Sequence, residues 1–185
     1  MRLLKSRKAL STVVTTLIIL VVSVLLATVV TFYAINATTT RVQEEYLQIT
    51  MLHVWCTNDG NASAALMITN TGGRDAVIDK ITVRGRECSL SNVYYWKIAD
   101  DDTVPSDLKW VKDQQYLEGN YSTSDFNSAA ALNALTLRSG ARMVIYIYKL
   151  NWISTSDIGV SIGVVVFTSN AQYHKEVNVE AVIPA

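Results

Sequence analysis

From Ala9 to Thr40 the chain carries no charged residue, and from about Thr50 onward it changes to short runs rich in Val, Ile, Thr and Tyr, separated by clusters of Gly, Asn, Asp and Ser. The first stretch predicts a helix. Its apolar part, Leu10 to Ile35, would extend roughly 39 Å at about 1.5 Å per residue, enough to cross a hydrocarbon core of about 30 Å. Charge returns at Arg41, Glu44 and Glu45, spaced as helical neighbours, with Val42, Tyr46 and Ile49 on another side. That spacing predicts a stalk that carries the helix on to between Leu47 and Thr50.

The later runs predict strands at Ile49–Cys56, Ala64–Asn70, Ala76–Arg84, Val93–Ile98, Leu132–Leu137, Met143–Lys149, Ile158–Thr168 and Tyr173–Val182. Asn58-Asp59-Gly60-Asn61 and Asn70-Thr71-Gly72-Gly73 supply residues that tolerate positive φ in tight turns. Ile158, Val160, Ile162, Val164 and Val166 alternate on one face, as do Val177, Val179, Ala181 and Ile183 in the last run. Between Ala99 and Ala131 the period is lost in a polar insert with Asp100-Asp101-Asp102, Pro105 and Asp107, which reads as a solvated surface loop. Eight or so strands in about 135 residues point to an α+β chain: a long hydrophobic helix, then an antiparallel immunoglobulin-like β-sandwich.

The helix carries a pattern of its own. Thr12, Thr16, Ser23, Ala27, Thr31, Ala34 and Thr38 recur at spacings of three, four and seven, a stripe of small residues on one side. Small side chains let helices approach closely, and their hydroxyls can bond across the contact for about 0.6 kcal/mol each. Leu17, Ile18, Val21, Val22, Leu25 and Val29 face elsewhere, toward lipid or neighbours. The plainer alternative is that membrane helices are rich in small residues.

Charge orients this segment. Arg2, Lys5, Arg7 and Lys8 precede it and the next charge is Arg41, so the basic flank places Met1 inside and the bulk of the chain outside. A secretory signal peptide has an apolar region of about 7 to 15 residues, shorter than this one. A plain anchor fits the length. At the junction, Lys8-Ala9-Leu10-Ser11 places a basic and a small residue directly before the apolar run. Here the chain resembles archaeal type IV pilins and archaellins over roughly its first 50 residues. The resemblance implies a class III signal peptide, cut between Ala9 and Leu10 on the cytoplasmic side by a prepilin-peptidase-like enzyme. It divides the chain into a leader at 1–9, a transmembrane and filament-core helix at 10–49 and an extracellular domain at 50–185. The mature fifth position would be Val14 rather than the Glu of bacterial relatives, which favours an archaeal source.

The chain is formally neutral, but removing the four basic leader residues takes the balance from 16 against 16 to 12 basic against 16 acidic. An acidic surface argues against a nucleic-acid partner, which needs clustered Lys and Arg. Cys56 and Cys88, both in the part placed outside, read as a single disulfide, with two buried thiols as the alternative. Asn36-Ala37-Thr38, Asn61-Ala62-Ser63 and Asn120-Tyr121-Ser122 match the N-glycosylation pattern. Asn61 and Asn120 fall in predicted turns or loops and are the candidates; a glycan at Asn36 would obstruct the helix stripe.

Chemical motifs are few. Gly159-Val160-Ser161-Ile162-Gly163 matches the G-x-S-x-G of nucleophile elbows, but Val164 to Phe167 continue a strand where that motif needs a helix. The only histidines are His53 and His174, and no spacing of His, Cys or acidic residues matches a zinc or EF-hand site. The chain is expected to be no enzyme and to need no cofactor. The expected function is structural: many copies packed through the helix in a cell-surface filament, inserted in the cytoplasmic membrane before assembly. The helix start Leu10-Ser11-Thr12-Val13-Val14 lacks the glycine-rich opening common in archaellins, which favours an adhesive pilus over a motility filament. A membrane-anchored surface domain that binds a ligand or envelope partner without polymerising is the alternative.

Overall fold

The computed structural model describes residues 4–99, 103, 105–117, 126–131 and 135–182. Helix α1 runs over Leu4–Gln43, 40 residues without a glycine or proline. Many are Val, Ile and Thr, which lose χ1 freedom in a helix, so backbone hydrogen bonding and an apolar surround rather than propensity account for its length. The helix stops short of the predicted Leu47–Thr50. The reason lies in what claims the next backbone groups: Thr71 and Gly72 donate N–H to the Tyr46 carbonyl at 2.9 and 3.1 Å, and Gly73 donates to that of Glu44 at 3.0 Å. Glu44 and Glu45 therefore lie outside the helix and form no stalk. The chain divides into two compact units, Met1–Val42 and Gln43–Ala185.

The second unit is mostly β. Its strands are β1 (Leu47–Thr57), β2 (Ala62–Asn70), β3 (Ala76–Val83), β4 (Arg86–Glu87), β5 (Val93–Ile98), β6 (Asn127–Ser128), β7 (Leu135–Leu137), β8 (Arg142–Ile147), β9 (Ser161–Thr168) and β10 (Gln172–Val182). All eight predicted strands are present, most within two or three residues of their expected ends. They form one curled sheet in the order β4-β3-β9-β10-β1-β2-β8-β5-β6, with β7 also on β3. The sheet is mixed rather than antiparallel, because β1 and β10 run parallel from Val54↔Val179 to Thr57↔Val182. The other pairs are antiparallel.

Two buried clusters lie on opposite faces of the β1-β2-β8-β5 part. The larger gathers Leu66, Ile68, Met143 and Ile145 from there with Ile78, Ile81, Val164 and Val166 from β3 and β9, so the curled sheet closes over it. The second, on the other face, gathers Trp55, Met67, Trp96, Val144 and Tyr146 with Leu108, Val111 and Leu117 of the polar insert. The described part of the insert is thus a cover, not a solvated loop. Its three apolar residues replace water over the outer face of the sheet, and β2 is consequently buried along both faces.

In β9 Ile162, Val164 and Val166 face the core as expected, but Ile158 and Val160 precede the strand and are exposed. In β10 Val179 is buried and Ala181 exposed, and Ile183 lies outside the described residues.

Candidate functional site

The span Leu10–Thr39 has mean hydropathy 2.9 over its most apolar window, none of which is buried, so its length and composition suit a membrane crossing. Leu17, Ile18, Leu25, Val29 and Phe32 are each more than half exposed. The small-residue stripe lies along this helix, but its hydroxyls are already engaged. Thr16, Ser23, Thr31 and Thr38 donate to the carbonyls of Val13, Leu20, Ala27 and Ala34 at 2.7–2.9 Å. Such back-bonding removes the hydroxyl proton from the surface, so the stripe offers close approach rather than ready cross-helix donors. Lys8, Ala9, Leu10 and Ser11 fall within α1, whose backbone continues through the junction without a break.

The remaining predicted positions separate. Asn61 is exposed at the end of the β1–β2 turn, where Gly60 takes φ +77° as anticipated. Asn120 lies outside the described residues, and Asn36 is on α1. Cys56 and Cys88 are not bridged; both are buried free thiols. Cys56 lies near the end of β1 and Cys88 follows β4, strands separated in the sheet by β3, β9 and β10. Both belong to the larger core, where burial pushes the Cys88 thiol up to about 12. Gly159 to Gly163 leads into β9, not into a helix. A Cβ at Gly163 would lie 2.6 Å from His174 Nε2, so this glycine marks a close approach between β9 and β10.

One cluster of polar groups escaped the sequence. In β1 the pairing with β2 shifts between Thr50 and His53, and Met51 takes φ +46°. This bulge reverses the alternation: Leu47 and Ile49 face the larger core before it, Leu52, Val54 and Cys56 after it. His53 and Trp55 are thereby turned to the opposite face, toward the insert. There His53 Nδ1 lies 2.9 Å from Glu180 Oε1 of β10, and His53 Nε2 lies 2.9 Å from Asp107 Oδ1 of the insert. Trp55 Nε1 donates to Glu180 Oε2 at 3.0 Å. Partial burial would lower the His53 pKa, but hydrogen bonds to both carboxylates and their charges outweigh it, and the net shift is upward. The bond from His53, with one from the Leu108 N–H, holds Asp107 below its ordinary value.

With each ring nitrogen facing a different carboxylate, His53 joins the insert to the middle of the sheet, where β1 and β10 pair. It leaves no lone pair directed at a common point with the acids, and among the described residues no group of three or more His, Cys, Asp or Glu could hold a metal ion. Compared with known protein families and with curated proteins, the chain matches none.

Proposed function

We propose that the chain is a structural subunit of an archaeal cell-surface filament of type IV pilin kind, an adhesive pilus in preference to an archaellum. The leader at 1–9 is removed by a prepilin-peptidase-like enzyme, and the helix then exchanges the membrane for the helices of other copies. The observation that carries this reading is the pairing of an uncharged, fully exposed helix, Leu10–Thr39, with a β-domain that has buried cores of its own. A helix apolar all round needs a covering that water cannot provide. Lipid supplies it before assembly and neighbouring helices after it. The β-domain would then tile the filament surface outside the cell, with no nucleic-acid partner. Its curled sheet folded over one core also supports an immunoglobulin-like reading, from which the parallel β1–β10 pair is a departure.

The deciding experiment is the amino terminus and intact mass of the native protein from a sheared surface fraction and from membranes. Chains beginning at Leu10 and abundant in the sheared fraction establish the filament. Chains beginning at Met1 and confined to membranes refute it in favour of the second reading, a non-polymerising anchored domain. That alternative is favoured by one observation, the internal bonding of the stripe hydroxyls, which suits a helix that stays in lipid.

A further inference from the structure

A cleft of about 240 Å³ in the β-domain opens between the β1–β2 turn, the chain just past β8 and the insert. Backbone bonds fix its walls. Gly60 donates to Thr57 O at 2.9 Å, Tyr148 to Asn92 O at 2.9 Å and Leu150 to Ala62 O at 3.1 Å. Lys149, in the wall, holds φ +59°, a conformation a lysine adopts only where the surroundings impose it.

We propose that this cleft holds a single saccharide ring. Two aromatic rings line it: half-buried Trp110 and buried Tyr148, the latter stacked on Tyr146 with centroids 6.3 Å apart. A rigid aromatic face suits the C–H face of a pyranose. Around them the charges cancel, Asp59 and Asp113 against Lys112 and Lys149, so a neutral ligand is matched better than an anion or a cation. The side chains of Asp59, Asn61, Asn92, Lys112 and Lys149 line the cleft and make no hydrogen bond or ion pair among the described residues. The cleft thus offers both donors and acceptors beside two aromatic rings, as a ring of hydroxyls requires. The volume is below the roughly 300–1,000 Å³ of sites for drug-sized ligands, which limits the occupant to about one ring.

The ring has two sources, because Asn61 at the rim begins the glycosylation pattern Asn61-Ala62-Ser63. It is the first sugar of a glycan carried on Asn61, or it belongs to a free saccharide. The proposal is independent of whether the chain polymerises.

The test uses the full chain in detergent micelles, made without N-glycosylation, and titrates methyl glycosides of glucose, mannose, galactose and N-acetylglucosamine by saturation-transfer NMR. At least one glycoside is expected to bind saturably, with affinity about tenfold weaker in Trp110→Ala. Asn92→Ala, which leaves the aromatic rings in place, is expected to weaken it as well, and near-UV circular dichroism establishes that both variants are folded. The titration is repeated on chain bearing a glycan at Asn61: exclusion of the free glycoside identifies the attached glycan as occupant, and continued binding identifies a free saccharide. No saturable binding to the bare chain, or binding undiminished in both folded variants, overturns the proposal.

Discussion

His53 and Trp55 stack with ring planes 1° from parallel and centroids 5.3 Å apart, and both rings hydrogen-bond the carboxylate of Glu180. Two residues apart on one strand, they share a face, and the bulge at Met51 turns that face away from the larger core. A protonated His53 donates from both nitrogens, to Glu180 and to Asp107; a neutral one leaves a carboxylate facing a lone pair. Because its folded pKa is raised, the stability it adds is complete below its unfolded value of about 6.5 and is lost as pH rises through the folded value. Asp107 works in the opposite sense. Its lowered pKa adds stability above about 3.9, lost as pH falls through the folded value. The β-domain is therefore expected to resist urea best between about pH 4 and 6.5. His53→Gln should flatten the alkaline side of that profile. An unchanged slope in the variant would remove His53 from the account.

The insert's role as a cover gives a second expectation. Leu117 has no exposed surface, and truncation to Ala at such a site costs about 2–5 kcal/mol, whereas a change in a solvated loop stays within about 0.5 kcal/mol. Urea unfolding of Leu117→Ala separates the two. A midpoint at the wild-type value would return the insert to solvent.

Gly72 and Gly60 differ in why they are glycine. At Gly72 a Cβ would lie 2.6 Å from the Glu44 carbonyl oxygen and against the Tyr46 nitrogen, both backbone atoms that cannot step aside. At Gly60 there is open space, and only φ +77° resists a side chain. Gly72→Ala should cost about 1–3 kcal/mol and expose the Thr71 and Gly73 N–H groups, which donate to the Tyr46 and Glu44 carbonyls, to faster amide exchange. Gly60→Asn should be nearly silent, since Asn tolerates that region. Exchange at Thr71 and Gly73 that is the same in both variants would contradict the assignment.

The two thiols are expected to be inert in the folded protein. Alkylation should modify neither Cys56 nor Cys88 in native buffer and both in urea, and dithiothreitol should leave the melting temperature unchanged. An intact mass lower by two hydrogens would establish the bridge instead.

Ala27 tests the helix. Ala27→Phe places a large ring in the small-residue stripe and should abolish filaments while leaving the melting temperature of the β-domain unaltered. Filaments of ordinary length would sink the packing seam.

The apolar helix and the strands were readable because each signal is local: an uncharged run, or β-branched residues between turn formers. What could not be read depends on contacts distant in sequence. The bulge at Met51 is one inserted residue, and no composition betrays it, yet it decides that His53 faces Asp107 rather than the core. Leu108, Val111 and Leu117 sit three, six and nine places apart or so in a polar stretch, too sparse to predict a strand or helix, and their burial appears only when the sheet beneath them exists. The stripe hydroxyls are satisfied within one turn, by a local competition with the backbone that the spacing of small residues does not reveal. The parallel pairing of β1 with β10 is invisible to periodicity, which sees alternation but not direction.

That pairing also sets an order of events. β10 lies between β9 and β1, so the last strand in chain order among the described residues is the one that joins the β3–β9 side of the sheet to the β1–β2 side. Until residues 172–182 have been synthesised, the two sides have no backbone bonds through this seam, and Glu180 is not yet there to receive His53 and Trp55. A nascent chain arrested before that point presents two open strand edges, a state in which a quality-control protease or a second nascent chain finds the template that β10 will later occupy.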